Sequence, residues 1–452
     1  IDFVFTHKRE LPKYSRLVSR SEIVDSHDYN LNIRRYVDNT PDPEPEDVQA
    51  HLIGGIPEAE VAALTDDFAK FGVNPDSLFE PERPAYLTFR ESIDARPAIK
   101  TTLDADPALL DTLSRHRDAL ESWWAVARDD FAKLQHAGNG GKKMPEVRHE
   151  LLTTLKAKLV PLAVLDEFKS SGVFVNWWQQ IRFDLKTIVS TGWHHTLIPD
   201  DYLIAEYFQA EADAIEAMEA SIAEAQGELA EAVETAQEVC GYEPEEDEKV
   251  SAAVIKKALK SLIDDLKDSA GDSARKELKN LTDQDKAIKA IEKRIRDAKA
   301  TRKEKAAELE FKLELKRLGP DDFKAETQDL IAQAEARLEE LDPEKKADKK
   351  TITALNKDQA ALNTRLAQVD AMLDAIGDQI SEADARRLIL NKIYDTARAK
   401  LDRYLAAENR VLARAVENLW DKYAVSGRQL ELARNESLKA LNGFLRGLGY
   451  LS

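Results

Sequence analysis

The sequence predicts a mainly α-helical protein, in which a helical domain is followed by a long antiparallel coiled-coil, or helical-hairpin, arm and preceded by a short β-containing N-terminal stub. The composition favours long helices, because 33% of the 452 residues are charged and there are only 17 glycines and 16 prolines. Apolar residues also recur at three- and four-residue steps, and later at seven-residue steps. We therefore expect three segments, at 1–50, 51–200 and 201–452.

The first segment is predicted to hold short strands and a linker. Residues 3–5 and 17–18 are short β-type runs among turn-forming residues. Pro41, Pro43 and Pro45 then interrupt regular structure and favour an extended linker. This pattern is typical of the end of one domain.

The second segment is predicted to be helical, because Val61, Leu64 and Phe68 recur at helical spacing. Residues 138–141, Gly-Asn-Gly-Gly, predict a loop between helices. This loop lacks the Ser or Thr that a phosphate-binding loop carries after its lysine, here Lys142.

An aromatic stretch in the second segment admits two interpretations. Trp177, Trp178 and Trp193 could form a base-stacking platform beside Arg182. A shared apolar helical face favours core packing instead. That face consists of Trp177, Ile181, Leu185 and Ile188.

The third segment is predicted to form the arm and the C-terminal helices. A short heptad series ends at Gly241, and further helices are expected over about 251–268, 274–317 and 321–340. The strongest series comprises Leu355, Leu362, Leu366, Val369, Leu373 and Ile376. Long helices with narrow apolar seams and short breaks favour antiparallel hairpins. Ser381 has the form of a helix N-cap, so the final helices are expected to start there.

Charge and cysteine content exclude several classes of protein. A net charge of -19 argues against a chain that coats nucleic acid over its whole surface, although local basic faces remain compatible with it. The single cysteine, Cys240, excludes an internal disulfide framework and a cysteine-only zinc cluster. No long apolar run and no signal peptide is visible, so we expect no membrane partner and a cytoplasmic location.

No residue pattern in the chain predicts a catalytic, cofactor-binding or metal site. His194 and His195 lie near Asp200 in the sequence, but adjacent histidine side chains usually point apart, which favours a loop. Neither a His-Glu-x-x-His motif nor a nucleophile elbow occurs.

Two groups of basic residues are candidates for nucleic-acid contact. The first group, which we favour, comprises Lys8, Arg9, Lys13, Arg16, Arg34 and Arg35. The second is the dense cluster of lysines and arginines over 286–305, where Glu292, Asp297 and Glu304 favour a salt-bridged exposed helix instead. The sequence leaves open whether residues 286–305 touch DNA.

Five separated blocks resemble one family. Residues 28–37 have the sequence Asp-Tyr-Asn-Leu-Asn-Ile-Arg-Arg-Tyr-Val, and residues 51–57 have the sequence His-Leu-Ile-Gly-Gly-Ile-Pro. Further blocks lie at 184–193, 417–426 and 441–450. In this order they resemble the modification subunits of type I restriction-modification systems, which are adenine-N6 DNA methyltransferases. We expect the heptad series from Leu355 to Ile376 to contact a partner protein, together with Trp420 and Tyr423 of the fourth block. We call these residues the candidate partner seam.

The resemblance covers the part of such a subunit that follows its catalytic core. The family's Asn/Asp-Pro-Pro-Phe/Tyr block has no counterpart, because no Pro-Pro occurs in the chain. We expect the core, and with it the S-adenosylmethionine site, to lie before Ile1, which is not an initiator methionine. Gly54 and Gly55 are interpreted as a turn that leads into a helix at Glu58, since no long hydrophobic strand precedes them.

The family implies a non-catalytic role for this chain within a site-specific DNA methyltransferase. The resemblance implies that the helical region docks on the helices of a specificity subunit and helps to clamp double-stranded DNA. The resemblance leaves open whether the restriction subunit is a further partner. The alternative is a structural tether whose coiled-coil arm self-associates and has no part in DNA modification.

Overall fold

The structure is a computed structural model that describes residues 2–38, 46–132, 144–244, 249–267, 272–342, 345–377, 379–448 and 450. Its α-helices are α1 (Asp2–Thr6), α2 (Val48–Ile53), α3 (Glu58–Ala62), α4 (Thr65–Phe71), α5 (Arg96–Asp104), α6 (Pro107–Ala132), α7 (Met144–Leu159), α8 (Glu167–Thr191), α9 (Asp200–Tyr207), α10 (Gln209–Cys240), α11 (Ala252–Leu266), α12 (Asp272–Leu318), α13 (Pro320–Glu339), α14 (Lys346–Ile376), α15 (Glu382–Tyr423) and α16 (Gly427–Gly447). Its strands are β1 (Ile56–Pro57), β2 (Phe79–Arg83) and β3 (Tyr86–Phe89).

The mainly α-helical class with a small β portion is confirmed, but the strands lie elsewhere than predicted. Residues 3–5 belong to α1 instead of a strand, and residues 17–18 are in no regular element. The short strands β1, β3 and β2 lie side by side in that order and form one antiparallel sheet. The β-type side chains near the N-terminus favour a strand only where a neighbouring strand completes the hydrogen bonds. The predicted loop at 138–141 and the prolines from Pro41 to Pro45 lie outside the described residues.

The chain divides into two compact units, 1–116 with 405–452 and 117–404. The division falls within α6 and α15, so it does not coincide with the boundaries expected after residues 50 and 200. A long helix that belongs to both units has an apolar periodicity that continues through the boundary without interruption. Sequence reasoning therefore has no signal for such a boundary.

The first unit is built around a small sheet and the helices that flank it. Phe68 and Phe71 of α4 are buried in its core with Leu78 and Phe79. Gly72 ends α4 in the left-handed conformation, with φ of 69°, which glycine adopts without steric cost. The Thr112 hydroxyl donates to the carbonyl of Phe71 over 2.9 Å, so α6 is fixed to the end of α4.

The second unit contains an aromatic core on α6 and α8. Trp177 is 1% exposed, and its indole nitrogen donates to the Ile393 carbonyl over 2.9 Å. Trp178 and Trp193 are also buried, which confirms the core interpretation of the tryptophans. The rings that surround Trp177 belong to Trp123, Trp124, Phe131, Phe174 and Trp178.

The arm of the second unit consists of antiparallel helices, as predicted. Ion pairs join Glu228 of α10 to Arg294 of α12, Glu219 to Arg302 and Glu211 to Lys312. Later residues of α12 thus pair with earlier residues of α10, so the two helices run in opposite directions. Helix α11 covers one side of the pair, because a hydrophobic cluster joins all three helices. Its buried members are Val233, Ala236, Ile255, Leu259, Leu281 and Ile288.

A second antiparallel pair is formed by α13 and α14. Lys324 of α13 lies 2.6 Å from Asp370, and Gln359 of α14 donates to Glu335 over 2.7 Å. The sequence-predicted N-cap at Ser381 is confirmed, since its hydroxyl accepts from the Asp384 amide over 3.1 Å at the start of α15.

Candidate partner-docking surface

A buried tyrosine fixes the end of α15 within the first unit. The Tyr423 hydroxyl donates to the carboxylate of Glu60 in α3 and accepts from the Asp47 amide over 3.3 Å. The ammonium of Lys422 lies 3.5 Å from the same Glu60 carboxylate and balances its charge. Burial is the main cause that raises the pKa of Tyr423 above its ordinary value, and the neighbouring Glu60 adds to it.

Replacing Tyr423 with phenylalanine is expected to destabilise the first unit by about 1–3 kcal/mol, because Glu60 would lose a buried donor. The raised pKa adds a pH signature. Above the ordinary tyrosine pKa of 10.0, the unfolded phenol ionises first, so the native protein loses stability as the pH rises toward the raised value. Urea unfolding from about pH 8 to about pH 11 should show a smaller alkaline loss for Tyr423→Phe than for the native chain. Equal alkaline losses would contradict this prediction.

Helix α2 begins beside the same tyrosine. The Asp47 side chain caps α2 by accepting from the Ala50 amide over 2.9 Å, and it accepts from the Tyr86 hydroxyl over 3.0 Å. The backbone bond from Ala50 is the main cause that holds the pKa of Asp47 below its ordinary value, and Tyr86 contributes. The guanidinium of Arg83 lies over the Tyr86 ring and donates to the Gly54 carbonyl over 2.8 Å. Helix α2 is thereby held on the sheet.

The turn after α2 has the conformation that its glycines predict. Gly54 and Gly55 have φ values of 108° and 88°, which side chains rarely allow, and α3 begins at Glu58. A residue with a Cβ at position 55 would approach the Glu82 carboxylate to 2.7 Å. The glycines therefore serve a tight turn against β2, in agreement with the sequence interpretation.

Helix α16 starts on this platform. Ser426 and Gln429 form a capping box, in which the Gln429 amide donates to the Ser426 hydroxyl over 3.3 Å and the Ser426 amide donates to the Gln429 side chain over 2.8 Å. Arg428, Gln429 and Leu432 line a cavity together with Gly54, so this side of α16 faces the sheet and α2.

The opposite side of α16 is largely apolar, with Arg434 and Ser437 as polar members, and it is uncovered within the described part of the chain. At 100° per residue, large apolar side chains fall in one sector, away from Leu432. Leu441 is 52% exposed and Phe444 is 73% exposed, and no residue of α16 is buried. We call this sector the α16 face. Its large members are Leu430, Leu438, Leu441, Phe444 and Leu448.

Two members of the predicted partner seam serve the first unit itself. Tyr423 is buried in the network with Glu60. The Trp420 ring lies 5.0 Å from Phe89 of β3, centroid to centroid, and is half-buried. These aromatic side chains pack α15 against the first unit, and the burial of Tyr423 leaves little of its side chain accessible to a partner.

The remaining seam residues lie on α14 in the second unit, where α13 packs along the helix. Val369 is completely buried and Ile376 is buried, so neither is accessible to another protein. Leu355, Leu362, Leu366 and Leu373 are half-buried. The heptad pattern correctly predicts an apolar stripe, but α13 of the same chain already packs against it.

The α16 face was missed as a binding surface by the sequence reasoning, although a signal exists. Residues 430, 441, 444 and 448 follow helical spacing, and charged residues such as Lys439 and Arg446 occupy the other side. The pattern is shorter than the α14 heptads and therefore less conspicuous. Its importance depends on the absence of a covering helix in the described structure.

The candidate DNA contacts near the N-terminus are all exposed in the first unit. Arg16 forms an ion pair with Glu22 at 3.0 Å. Lys13 and Arg16 line an open cleft with Tyr36, which directly follows Arg35 in the chain, and Glu10 and Asp38 line the same cleft. The others, Lys8, Arg9, Arg34 and Arg35, lie on the surface of the same segment.

The histidine pair does not form a metal site within the described residues. The rings of His194 and His195 lie 4.1 Å apart, centroid to centroid, and no group of three potential metal ligands converges in the described ranges. His194 accepts from the Thr196 amide at the start of a short 3₁₀ turn. Burial is the main cause that lowers the pKa of His195.

Among the described helices, none is both long and apolar enough to cross a membrane.

Comparisons with protein-family models, with curated proteins and with solved structures find no match to this chain.

Proposed function

We propose that this chain is a non-catalytic assembly region of a type I DNA adenine-N6 methyltransferase subunit, in which the α16 face docks on the helices of the specificity subunit. The exposed α16 face carries the proposal. An amphipathic helix that leaves a broad leucine-rich sector uncovered has the form used for insertion between partner helices. Burying the exposed parts of Leu441 and Phe444 alone would contribute about 2–4 kcal/mol.

The arrangement of the family-like blocks supports the same proposal. The block at 51–57 includes the end of α2 and β1, and the block at 417–426 includes the end of α15 and the cap of α16. The rings of His51 and Tyr423, one from each block, lie 5.0 Å apart. The two blocks together therefore build the platform from which α16 projects. Residues 441–450, the last block, contain much of the α16 face.

The proposed role in DNA binding is to help clamp the duplex while the specificity subunit reads its sequence. Lys8, Arg9, Lys13, Arg16, Arg34 and Arg35 are exposed and suited to phosphate contact. S-adenosylmethionine binding and methyl transfer belong to the core that the family places before this region. The same proposal includes a cytoplasmic location. It leaves open whether the restriction subunit is a further partner.

The proposal is tested by mixing the purified chain with the cognate specificity subunit and measuring mass by size-exclusion chromatography with light scattering. We expect the chain alone to elute at its monomer mass of 50.8 kDa and to form a stable complex with the subunit. A stable homodimer that excludes the subunit would favour the self-associating tether instead. Adenine methylation by the chain alone would contradict the non-catalytic role.

A further inference from the structure

The middle of α12 is basic within an acidic protein. Between residues 286 and 305 the lysines and arginines number nine and the acidic residues three, whereas the whole chain has a net charge of -19. Such a reversal of local charge marks a surface that can attract a polyanion. The structure separates the basic residues that the chain itself neutralises from those that it leaves to solvent.

Four of the nine basic residues are neutralised by ion pairs, although none of these pairs uses Glu292, Asp297 or Glu304. Two of these pairs are within α12, and the other two reach across to α10. The pairs are Lys289 with Asp285, Lys305 with Glu308, Arg294 with Glu228 and Arg302 with Glu219. These cations stabilise the arm, and we assign no ligand to them.

The other five basic residues are exposed and make no ion pair with any residue that the structure describes. They are Lys286, Lys293, Arg296, Lys299 and Lys303. At 100° per residue they fall within a sector of about 140° on α12, and Arg294 and Arg302, which face α10, fall outside it. We call these five residues the α12 stripe.

Carboxylates do not cancel the α12 stripe. Glu292 lies in the same sector, but Lys256 of α11 neutralises it through an ion pair of 2.5 Å. Two exposed acidic residues remain beside the five cations of the stripe, Asp297 next to Arg296 and Glu304 next to Lys303. Helix α10, which packs against α12, has nine acidic residues and no basic ones.

We propose that the α12 stripe is a track for the phosphodiester backbone of double-stranded DNA. From Lys286 to Lys303 the helix rises by about 26 Å, a length over which B-DNA presents about eight phosphates on each strand. Cations repeated along a rigid helix match a regularly charged polymer, and the acidity of the rest of the chain disfavours acidic protein partners. This assigns DNA contact to the arm in addition to the N-terminal candidates, and it rests on and extends the clamp of the proposed function.

The test is the binding of the full chain to a duplex of about 30 base pairs, followed by fluorescence anisotropy as the salt concentration is varied. Replacing all five stripe residues with glutamine should weaken binding at least about a hundredfold at low salt. It should also reduce the slope of log K against log salt by about four, because about one counterion is released for each lost phosphate contact.

A charge-matched variant provides the control. It carries five exposed lysines of α11 and α14 changed to glutamine, and these are Lys257, Lys260, Lys349, Lys350 and Lys357. It should bind the duplex nearly as the native chain does. Equal weakening of duplex binding by both variants would overturn the assignment of DNA contact to the α12 stripe and would indicate a general charge effect. Loss of binding to vesicles of anionic lipid, with duplex binding intact, would assign the stripe to a membrane surface and also overturn the proposal.

The proposed function and this inference fail separately. The stripe variant retains the α16 face, so its complex with the specificity subunit should keep its native mass. If the stripe variant still assembles and binds the duplex with unchanged affinity, only the proposal for the α12 stripe is contradicted. Loss of assembly in the native chain would contradict the proposed function, whatever the duplex measurement gives.

Discussion

Replacing Leu441 and Phe444 together with glutamate is expected to weaken binding to the specificity subunit by about a hundredfold to ten-thousandfold. Both side chains project from α16 and are more than half exposed in the chain alone. Docking would bury them, so their replacement removes apolar burial and places two carboxylates in the interface. Titration calorimetry with the purified subunit measures the loss directly.

The chain alone should tolerate this double substitution. No residue of α16 is buried, so the free energy of unfolding is expected to change by no more than about 0.5 kcal/mol for each substitution. This separates loss of docking from loss of folding. A large drop in stability would mean that α16 packs more tightly on the first unit than its exposure indicates.

A matched control uses the polar side of the same helix. Asn435 and Asn442 are exposed and lie outside the apolar sector, so glutamates there add the same charge to α16 without entering the α16 face. The control pair should bind within a few-fold of the native affinity. If it weakens binding as much as Leu441→Glu with Phe444→Glu, charge alone governs the contact and the α16 face is not the docking surface.

Replacing Trp177 with alanine is expected to destabilise the second unit by about 3–5 kcal/mol. Trp177 is surrounded by aromatic rings, including Trp123 at 5.6 Å and Phe174 at 5.4 Å between centroids, and a cavity would remain after truncation. The Ile393 carbonyl would also lose its donor. Chemical denaturation monitored by circular dichroism measures the change.

Phe168 supplies the control for Trp177. It lies on the same helix, α8, but is 84% exposed, so Phe168→Ala should change stability by less than about 0.5 kcal/mol. A small effect of Trp177→Ala, together with reduced binding to single-stranded DNA, would revive the base-stacking interpretation. The buried position of the indole argues for the stability effect.

Helix boundaries in the arm could be predicted closely from the sequence. The helices expected over about 251–268 and 274–317 correspond to α11 (Ala252–Leu266) and α12 (Asp272–Leu318). Glycine, proline and capping residues mark these ends through local backbone preferences, which act without help from distant residues. The strands were misplaced for the opposite reason, since a strand requires a neighbouring strand that local sequence does not specify.

The candidate site shows the same limit. The periodicity of α14 and that of α16 each predict an apolar stripe, and nothing in either stripe states what covers it. In the structure α13 packs along α14, whereas α16 keeps its leucines and Phe444 exposed. Sequence reasoning therefore chose the longer heptad series as the partner seam. Likewise, the packing of α10 on α12 decides that Arg294 and Arg302 are neutralised, by Glu228 and Glu219.

The sequence by itself determined the helical class, the antiparallel arm and most helix ends, because these depend on composition, periodicity and local capping. The tertiary structure alone decided the location of the small sheet and the internal role of Tyr423, Val369 and Ile376. It also decided that the α16 face and the α12 stripe stay uncovered in the described chain. Exposure depends on which distant segments meet, and a one-dimensional pattern records only that a face is apolar or charged.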